Sequence, residues 1–346
     1  MSDKQILKQV VGIDVAQKEL VVSLGRIDNH LSTEIYAGKT FPNNEKGFID
    51  LVAWVKKLIK EDAPVLFVME ATGVYHESLA YFLDDKSWNV SIVLPNKISH
   101  YAKTLDIKTV TDKTASQAIA RFGLERQLET WKRPKKSYKN LRQLTRERNQ
   151  IVEQRTMAKN HLHAEESEAF PNKSTLKRIK KTIDFFDKQE SEIKKEIEVI
   201  VKKDQEVSEA VALLSSIKGI GELTAVTVLA ETNGFDLIRN SKQLASYAGY
   251  DVKEKESGTS VKGKPKISKR GNKYLRKAMH LPTFSVINND PRYKAIYARL
   301  ISKHGIKMKA AIAVQRKLLE LLYILFKTKN KYEPDYLSKQ EILINN

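Results

Sequence analysis

The chain has 346 residues, 41% hydrophobic and 30% charged, and its 61 Lys and Arg against 42 Asp and Glu leave a formal net charge of +19. That length accommodates two or three domains, and that balance excludes a disordered chain. The absence of cysteine excludes disulfides and thiolate zinc sites. So large a basic surplus attracts a polyanion, and nucleic acid is the commonest one, with a merely solubilising surface as the plain alternative. No apolar run reaches membrane-spanning length, and residues 1–10 lack the apolar stretch of a signal peptide, so the cytoplasm of a prokaryote is the expected location.

The first segment reads as α/β. Residues 10–24 are rich in Val, Ile and Leu with a polar break at 14–19, which predicts two strands and a tight connection, and 33–41 suits a third strand. A helix is predicted over 44–61, with Phe48, Leu51, Val52, Val55 and Leu58 on one face and Asn44 as its cap. Then come a buried strand at 65–69, a helix at 75–84, a strand at 90–94 and a helix at 116–127. From 137 to 207 nearly everything favours helix, with charges of alternating sign and one break at Pro171 and Asn172. Its apolar stripes predict a long antiparallel hairpin, or a coiled coil whose stripes bury against another chain; two ordinary surface helices are the alternative. The last segment is helical and compact. A Gly219-Ile220-Gly221 turn after Lys218 resembles a helix-hairpin-helix, whose glycines let backbone N–H groups approach a phosphate, or it is a tight turn only. The expected domains are 1–134, 135–207 and 208–346.

Asp14 and Glu70 each end a hydrophobic strand. Carboxylates side by side at strand ends repel unless a cation lies between them, and hard oxygen ligands suit Mg²⁺ or Mn²⁺. Asp112, just before the 116–127 helix, is the third candidate, with helix capping as its alternative role and Asp106 as its competitor on spacing. Near the other end, Ser257 lies in a polar loop. Seven basic residues follow it without an acid: Lys262, Lys264, Lys266, Lys269, Arg270, Lys273 and Arg276. From spacing alone this is first a basic nucleic-acid-binding loop, and second a site where a serine attacks phosphate.

At these residues the chain resembles the DEDD-type insertion-sequence transposases (the IS-one-ten family), whose relatives include the Piv DNA invertases. The resemblance runs through residues 11–16, 69–75 and 111–113, then 217–221, 244–249, 257–258 and 267–272. It implies a RuvC-like N-terminal domain with the RNase H fold, a coiled-coil middle and a mostly α-helical C-terminal transposase domain. It implies that Asp14, Glu70 and Asp112 bind Mg²⁺ and that Ser257 is the nucleophile joining DNA. It also implies an element-encoded noncoding RNA that pairs with donor and target DNA. Because the acids and the serine lie on different domains, a homo-oligomer, dimer or tetramer, whose subunits share an active site is expected. One departure stands out: the family's fourth acid, three residues after the third, is replaced here by Ala115. Either three acids suffice in this chain or the replacement leaves it inactive. Two other readings stay open: a metal-dependent Holliday-junction resolvase in which water attacks, and a non-catalytic nucleic-acid binder.

Overall fold

The computed structural model describes residues 5–332 apart from 61, 62, 72, 106–108, 110, 237, 254, 255, 258–260 and 263–265, and only the backbone of 256, 257, 261 and 262. The chain divides into two compact units, Met1–Arg133 and Pro134–Asn346.

The first unit is built on three antiparallel strands, β1 (Ile6–Val15), β2 (Glu19–Asp28) and β3 (Thr33–Pro42), followed by α1 (Glu45–Leu58), β4 (Val65–Glu70), α2 (Glu77–Asp85), β5 (Asn89–Val93), α3 (Pro95–Ala102) and α4 (Asp112–Glu125). The sheet order is β3-β2-β1-β4-β5, with β4 parallel to β1 and β5 parallel to β4. Strand alternation sorts the side chains to two faces. Val11, Ile13 and Val15 join Phe67 and Met69 against Phe48, Leu51 and Val55 of α1 and Leu79 and Leu83 of α2. Val10 and Val68 face the other way, against Ile98 of α3 and Ile119, Ala120 and Leu124 of α4. Each large apolar side chain so buried contributes roughly 1.5–3 kcal/mol.

Helix α4 lies unusually close to the sheet, and a glycine is the reason. A Cβ on Gly12 of β1 would stand 2.3 Å from the Ala120 nitrogen and 2.5 Å from the Ser116 carbonyl oxygen. A buried Ser23–Ser116 hydroxyl pair at 2.8 Å ties the same helix to β2, and Lys8 donates to the carbonyls of Gly123 and Arg126 at its C-terminal end. The helix begins at Asp112, four residues before the position expected from its apolar spacing. Thr111 and Thr114 form a reciprocal capping box in which Thr114 plays the part usually taken by Glu or Gln, so the N-terminal turn carries no apolar signature. Helix α3, absent from the sequence reading, opens on Pro95 at its first turn.

The second unit is mostly helical. It begins with two 31-residue helices, α5 (Lys136–Glu166) and α6 (Lys173–Lys203), the second capped by Asn172. Arg148 pairs with Glu190, Arg155 with Glu190 and Asp187, and Glu166 with Lys180, so the two helices run antiparallel. Burial alone would raise the Glu190 carboxyl, but hydrogen bonds from Lys194 and Arg148 outweigh it and hold its pKa down at about 2. The stripes expected to bury against another chain are covered by this one. Ile193 and Ile197 share a core with α7 (Gln205–Leu214), α8 (Glu222–Thr232), α9 (Ser241–Ala248), α10 (Lys273–Asn289), α11 (Pro291–His304) and α12 (Lys307–Thr328). Residues 135–207 and 208–346 therefore form one compact unit, because an amphipathic stripe does not say which surface will cover it. Between α9 and α10 stand two two-stranded pairs, β6 (Val252–Lys253) with β9 (Lys266–Ile267) and β7 (Glu256–Ser257) with β8 (Val261–Lys262). No helix among the described residues is long and apolar enough to cross a membrane.

Candidate active site

In the parallel register of β1 and β4, Gly12 lies beside Val68 and Ile13 beside Met69, so Asp14 and Glu70 come next at the carboxyl ends of adjacent strands. By the same alternation both belong to the α4 side of the sheet, and both are half-buried. The close packing at Gly12 sets the height of α4, and Asp112 occupies its exposed first turn. Asp14 senses the other two acids. Burial first, then the negative charges of Asp112 and Glu70, push the Asp14 carboxyl up to about 6, against a weaker pull from the Val15 backbone N–H. Asp106, the competitor on spacing, lies outside the described residues.

Among the described residues no group of three His, Cys, Asp or Glu side chains is arranged to hold an ion as it stands. The donor chemistry nonetheless suits a hard divalent cation: carboxylates stand at the ends of two adjacent strands and in the first turn of a helix, and burial, then the charges of Asp112 and Glu70, raise the Asp14 carboxyl to about 6. Beside them opens a cavity of about 480 Å³ lined by Glu70, Thr114, Ala115, Ser99, Asn96 and Lys103, among others. Position 115 thus looks into the same space as Glu70, and a methyl group there offers nothing to a cation.

The C-terminal candidates are more dispersed. Ser257 lies in β7, where it pairs with Val261, rather than in an irregular loop. Its neighbours Gly258, Thr259 and Ser260, and Lys264, lie outside the described residues; Lys262 is placed by its backbone in β8. Lys266, Lys269, Arg270 and Lys273 are exposed, as a nucleic-acid contact requires. Arg276 differs: its guanidinium donates to the Ala248 carbonyl at 2.7 Å, closing the end of α9, so part of its charge serves the fold. In the glycine turn, Gly219 has φ +109° and a Cβ there would press on Ser285 at 2.9 Å, while Lys218 is exposed. Gly221 is the N-cap of α8 with open space where a side chain would go. Gly219 is therefore accounted for by packing, and Gly221 leaves the α8 N-terminus accessible.

One buried group escaped the sequence reading. The Glu231 side chain is fully buried near the end of α8, where Arg146 of α5 grips it through two hydrogen bonds of 2.7 and 2.8 Å and Asn272 donates a third at 2.7 Å. The Tyr247 hydroxyl donates to the Glu231 carbonyl, and the Arg146 guanidinium stacks 4.6 Å from the Tyr274 ring. Asn272 also caps α10, so this carboxylate anchors the root of the basic segment. An acid following the otherwise apolar run 225–230 was the available signal.

Comparison with known proteins places these features. A DEDD transposase model of the IS110 type matches residues 11–171, and a model described as the transposase IS116/IS110/IS902 family matches 211–298. The chain is 27% identical over 327 residues to the pilin gene-inverting protein of Moraxella lacunata, covering 94% of this chain and 98% of that one. It is 30% identical over 121 residues to an insertion element IS110 protein of Streptomyces coelicolor, covering 35% of this chain and 30% of the relative. Among solved structures, Thermus thermophilus RuvC in complex with a Holliday junction substrate aligns with 36% of this chain and 99% of its own, at 10% identity and a TM-score of 0.27. Two family models of one kind, one over the acids and one over the serine segment, identify the chain as a member of the IS110 family of transposases.

Proposed function

We propose that this DNA-recombining enzyme cuts and joins strands through Ser257, assisted by a divalent cation held by Asp14, Glu70 and Asp112. The observation that carries the reading is the placement of Asp14 and Glu70 at the carboxyl ends of the adjacent strands β1 and β4, with Asp112 at the start of α4 near enough for its charge to raise the Asp14 carboxyl. The strand order β3-β2-β1-β4-β5 supports a RuvC-like, RNase H-type reading of the first unit. Mg²⁺, when bound there, supplies positive charge where phosphate oxygens gain negative charge during cleavage. The serine Oγ forms a bond to phosphorus while the bond to the leaving deoxyribose oxygen breaks, and the serine proton ends on that leaving oxygen. Lys266, Lys269, Arg270 and Lys273 hold the flanking phosphates, and the open α8 N-terminus at Gly221 offers a further phosphate contact. The antiparallel α5–α6 hairpin acts as the coiled-coil spacer of a dimer or tetramer whose subunits share active sites, and an element-encoded noncoding RNA selects the DNA in a prokaryotic cytoplasm.

The test uses supercoiled DNA carrying the chain's own gene with its flanks, together with RNA that copurifies with the protein. Asp14→Asn is expected to abolish Mg²⁺-dependent strand cleavage while changing DNA affinity less than twofold. Unchanged cleavage by that variant overturns the metal assignment. Sequencing the copurified RNA tests the guide: a single species encoded beside the gene supports it, and a random cellular sample removes it.

A further inference from the structure

The second unit contains a groove of which the reaction above uses only two rim residues, Lys266 and Lys269. Two adjoining cavities, of about 700 and 370 Å³, share Tyr250, Ile267 and Ile312 as a common wall. The larger opens between α5, α8 and α10, and the smaller runs along the start of α12 and the β6–β9 pair. Around them Val252, Leu281, Ile306 and Met308 stand exposed, a concentration of apolar side chains that water does not favour. The charged side chains on both linings are all basic; no carboxylate lines either cavity among the described residues. Some of these cations are already engaged, Arg148 with Glu190, Lys277 with Glu153 and Arg316 with Glu320. Lys266, Lys269 and Lys309 have no acidic partner among the described residues. Tyr250 is almost wholly buried, yet its hydroxyl finds no hydrogen-bond partner. Burial pushes that hydroxyl well above the usual tyrosine range, so it remains a donor at any physiological pH.

An apolar floor, an exclusively basic rim and an unsatisfied hydroxyl form a defined chemical complement. A protein partner's apolar helix would satisfy the floor but leave the unpaired lysines facing its own surface. A duplex presents phosphates but keeps its bases stacked away from such a recess. Unstacked single-stranded nucleic acid presents both an apolar base face and a phosphate within a few ångströms, which is how proteins commonly hold single strands. We infer that this groove receives an unstacked base of a single-stranded stretch of the nucleic acid, with its flanking phosphates on Lys266, Lys269 and Lys309 and its edge within reach of Tyr250. The inference rests on the reading of the chain as a nucleic-acid recombinase and adds a site to it. A recombining complex exposes single strands whenever duplexes are opened, so the groove has an occupant at that stage.

The experiment uses the full chain and a 20-nucleotide single strand bearing 5-iodouracil, with the same sequence as a duplex for comparison. Irradiation is expected to cross-link the single strand to tryptic peptides containing Tyr250 or Met308. A Lys309→Gln variant, changed only on the exposed rim and outside the phosphate contacts named for the reaction, is expected to bind the single strand about threefold more weakly and the duplex nearly as before. Ile312→Trp, which fills the shared wall, should do the same if the folded circular-dichroism signal is retained. Cross-links confined to other peptides overturn the inference, as does a parallel loss on single strand and duplex. A change in light-scattering mass without a change in oligonucleotide affinity makes the groove a contact between copies instead. Single-strand affinity that rises when residues 333–346 are removed, with no groove cross-link, makes that tail the occupant. Recombination is not the readout, so failure of the recombinase reading and failure of the groove are seen separately.

Discussion

Removing the charge of Asp14 is expected to stabilise the protein while disabling it. In the folded chain its carboxyl titrates at about 6, against 3.8 for an unperturbed group, because burial and the charges of Asp112 and Glu70 disfavour the anion. Between those two values the folded chain keeps a proton that the unfolded chain has released, so stability falls as pH rises through that window. Above about pH 6 the penalty is fully present; below about pH 4 it has vanished. Two pK units correspond to roughly 3 kcal/mol, and solvent access at this half-buried site screens that to about 1 kcal/mol. Asn has no charge at any pH, so Asp14→Asn should raise the melting temperature by about 1–2 °C at pH 7.5 and by almost nothing at pH 4. Millimolar Mg²⁺ should raise the melting temperature of the unaltered chain and leave that of the variant unchanged. Differential scanning fluorimetry at the two pH values, with and without Mg²⁺, reads all four numbers. A variant less stable at pH 7.5, or a gain that persists at pH 4, refutes the claim that burial and the neighbouring charges disfavour the Asp14 anion.

Three further substitutions test how the site is held. Gly12→Ala places a methyl group against the α4 backbone and should cost about 3 kcal/mol or more, visible in urea denaturation of the full chain; a loss below about 1 kcal/mol would show that α4 can move away freely. Glu231→Gln removes the buried counter-charge of the partly exposed Arg146 and should cost about 1–2 kcal/mol, and a near-neutral result contradicts the anchoring role given to that carboxylate. Ile193→Ala should lower unfolding stability by about 2–5 kcal/mol, since that side chain packs inside its own subunit, and a loss seen only in oligomer mass would contradict the placement.

Much of the first unit was legible because β1, β2, β4 and β5 are rich in Val, Ile and Leu, and because Asp14 and Glu70 stand at the ends of such strands. The start of α4 was not, since its first turn is built from threonines and charges whose capping is a matter of hydrogen bonds rather than of apolar period. That shift alters the site, because Asp112 and Ala115 lie within a helical turn whose position Gly12 sets. Ser257 was legible as a polar residue ahead of basic ones, but not as part of a two-residue strand, since pairs that short have no periodicity to read. The Glu231 anchor was hidden for a different reason: its partners Arg146 and Asn272 stand 85 and 41 positions away in the chain. Likewise the apolar stripe through Ile193 and Ile197 revealed that the helix has a buried side, and only the packed structure shows that α5 and α7 of the same chain supply most of the cover.

The central claim, that a serine rather than water attacks DNA under the control of the acidic site, is tested most directly by looking for a covalent protein–DNA adduct. The Ala115→Asp substitution places a carboxylate in the cavity beside Glu70, so the assay is run on that variant and on the unaltered chain, with Mg²⁺ and DNA carrying the flanks of the gene. Denaturing gels followed by peptide mass spectrometry locate any attachment. The account predicts an adduct on Ser257 that is more abundant with Ala115→Asp, absent without Mg²⁺, and abolished by adding Ser257→Ala. DNA cut to free ends with no adduct, or cut equally well after Ser257→Ala, would contradict it and leave water as the nucleophile.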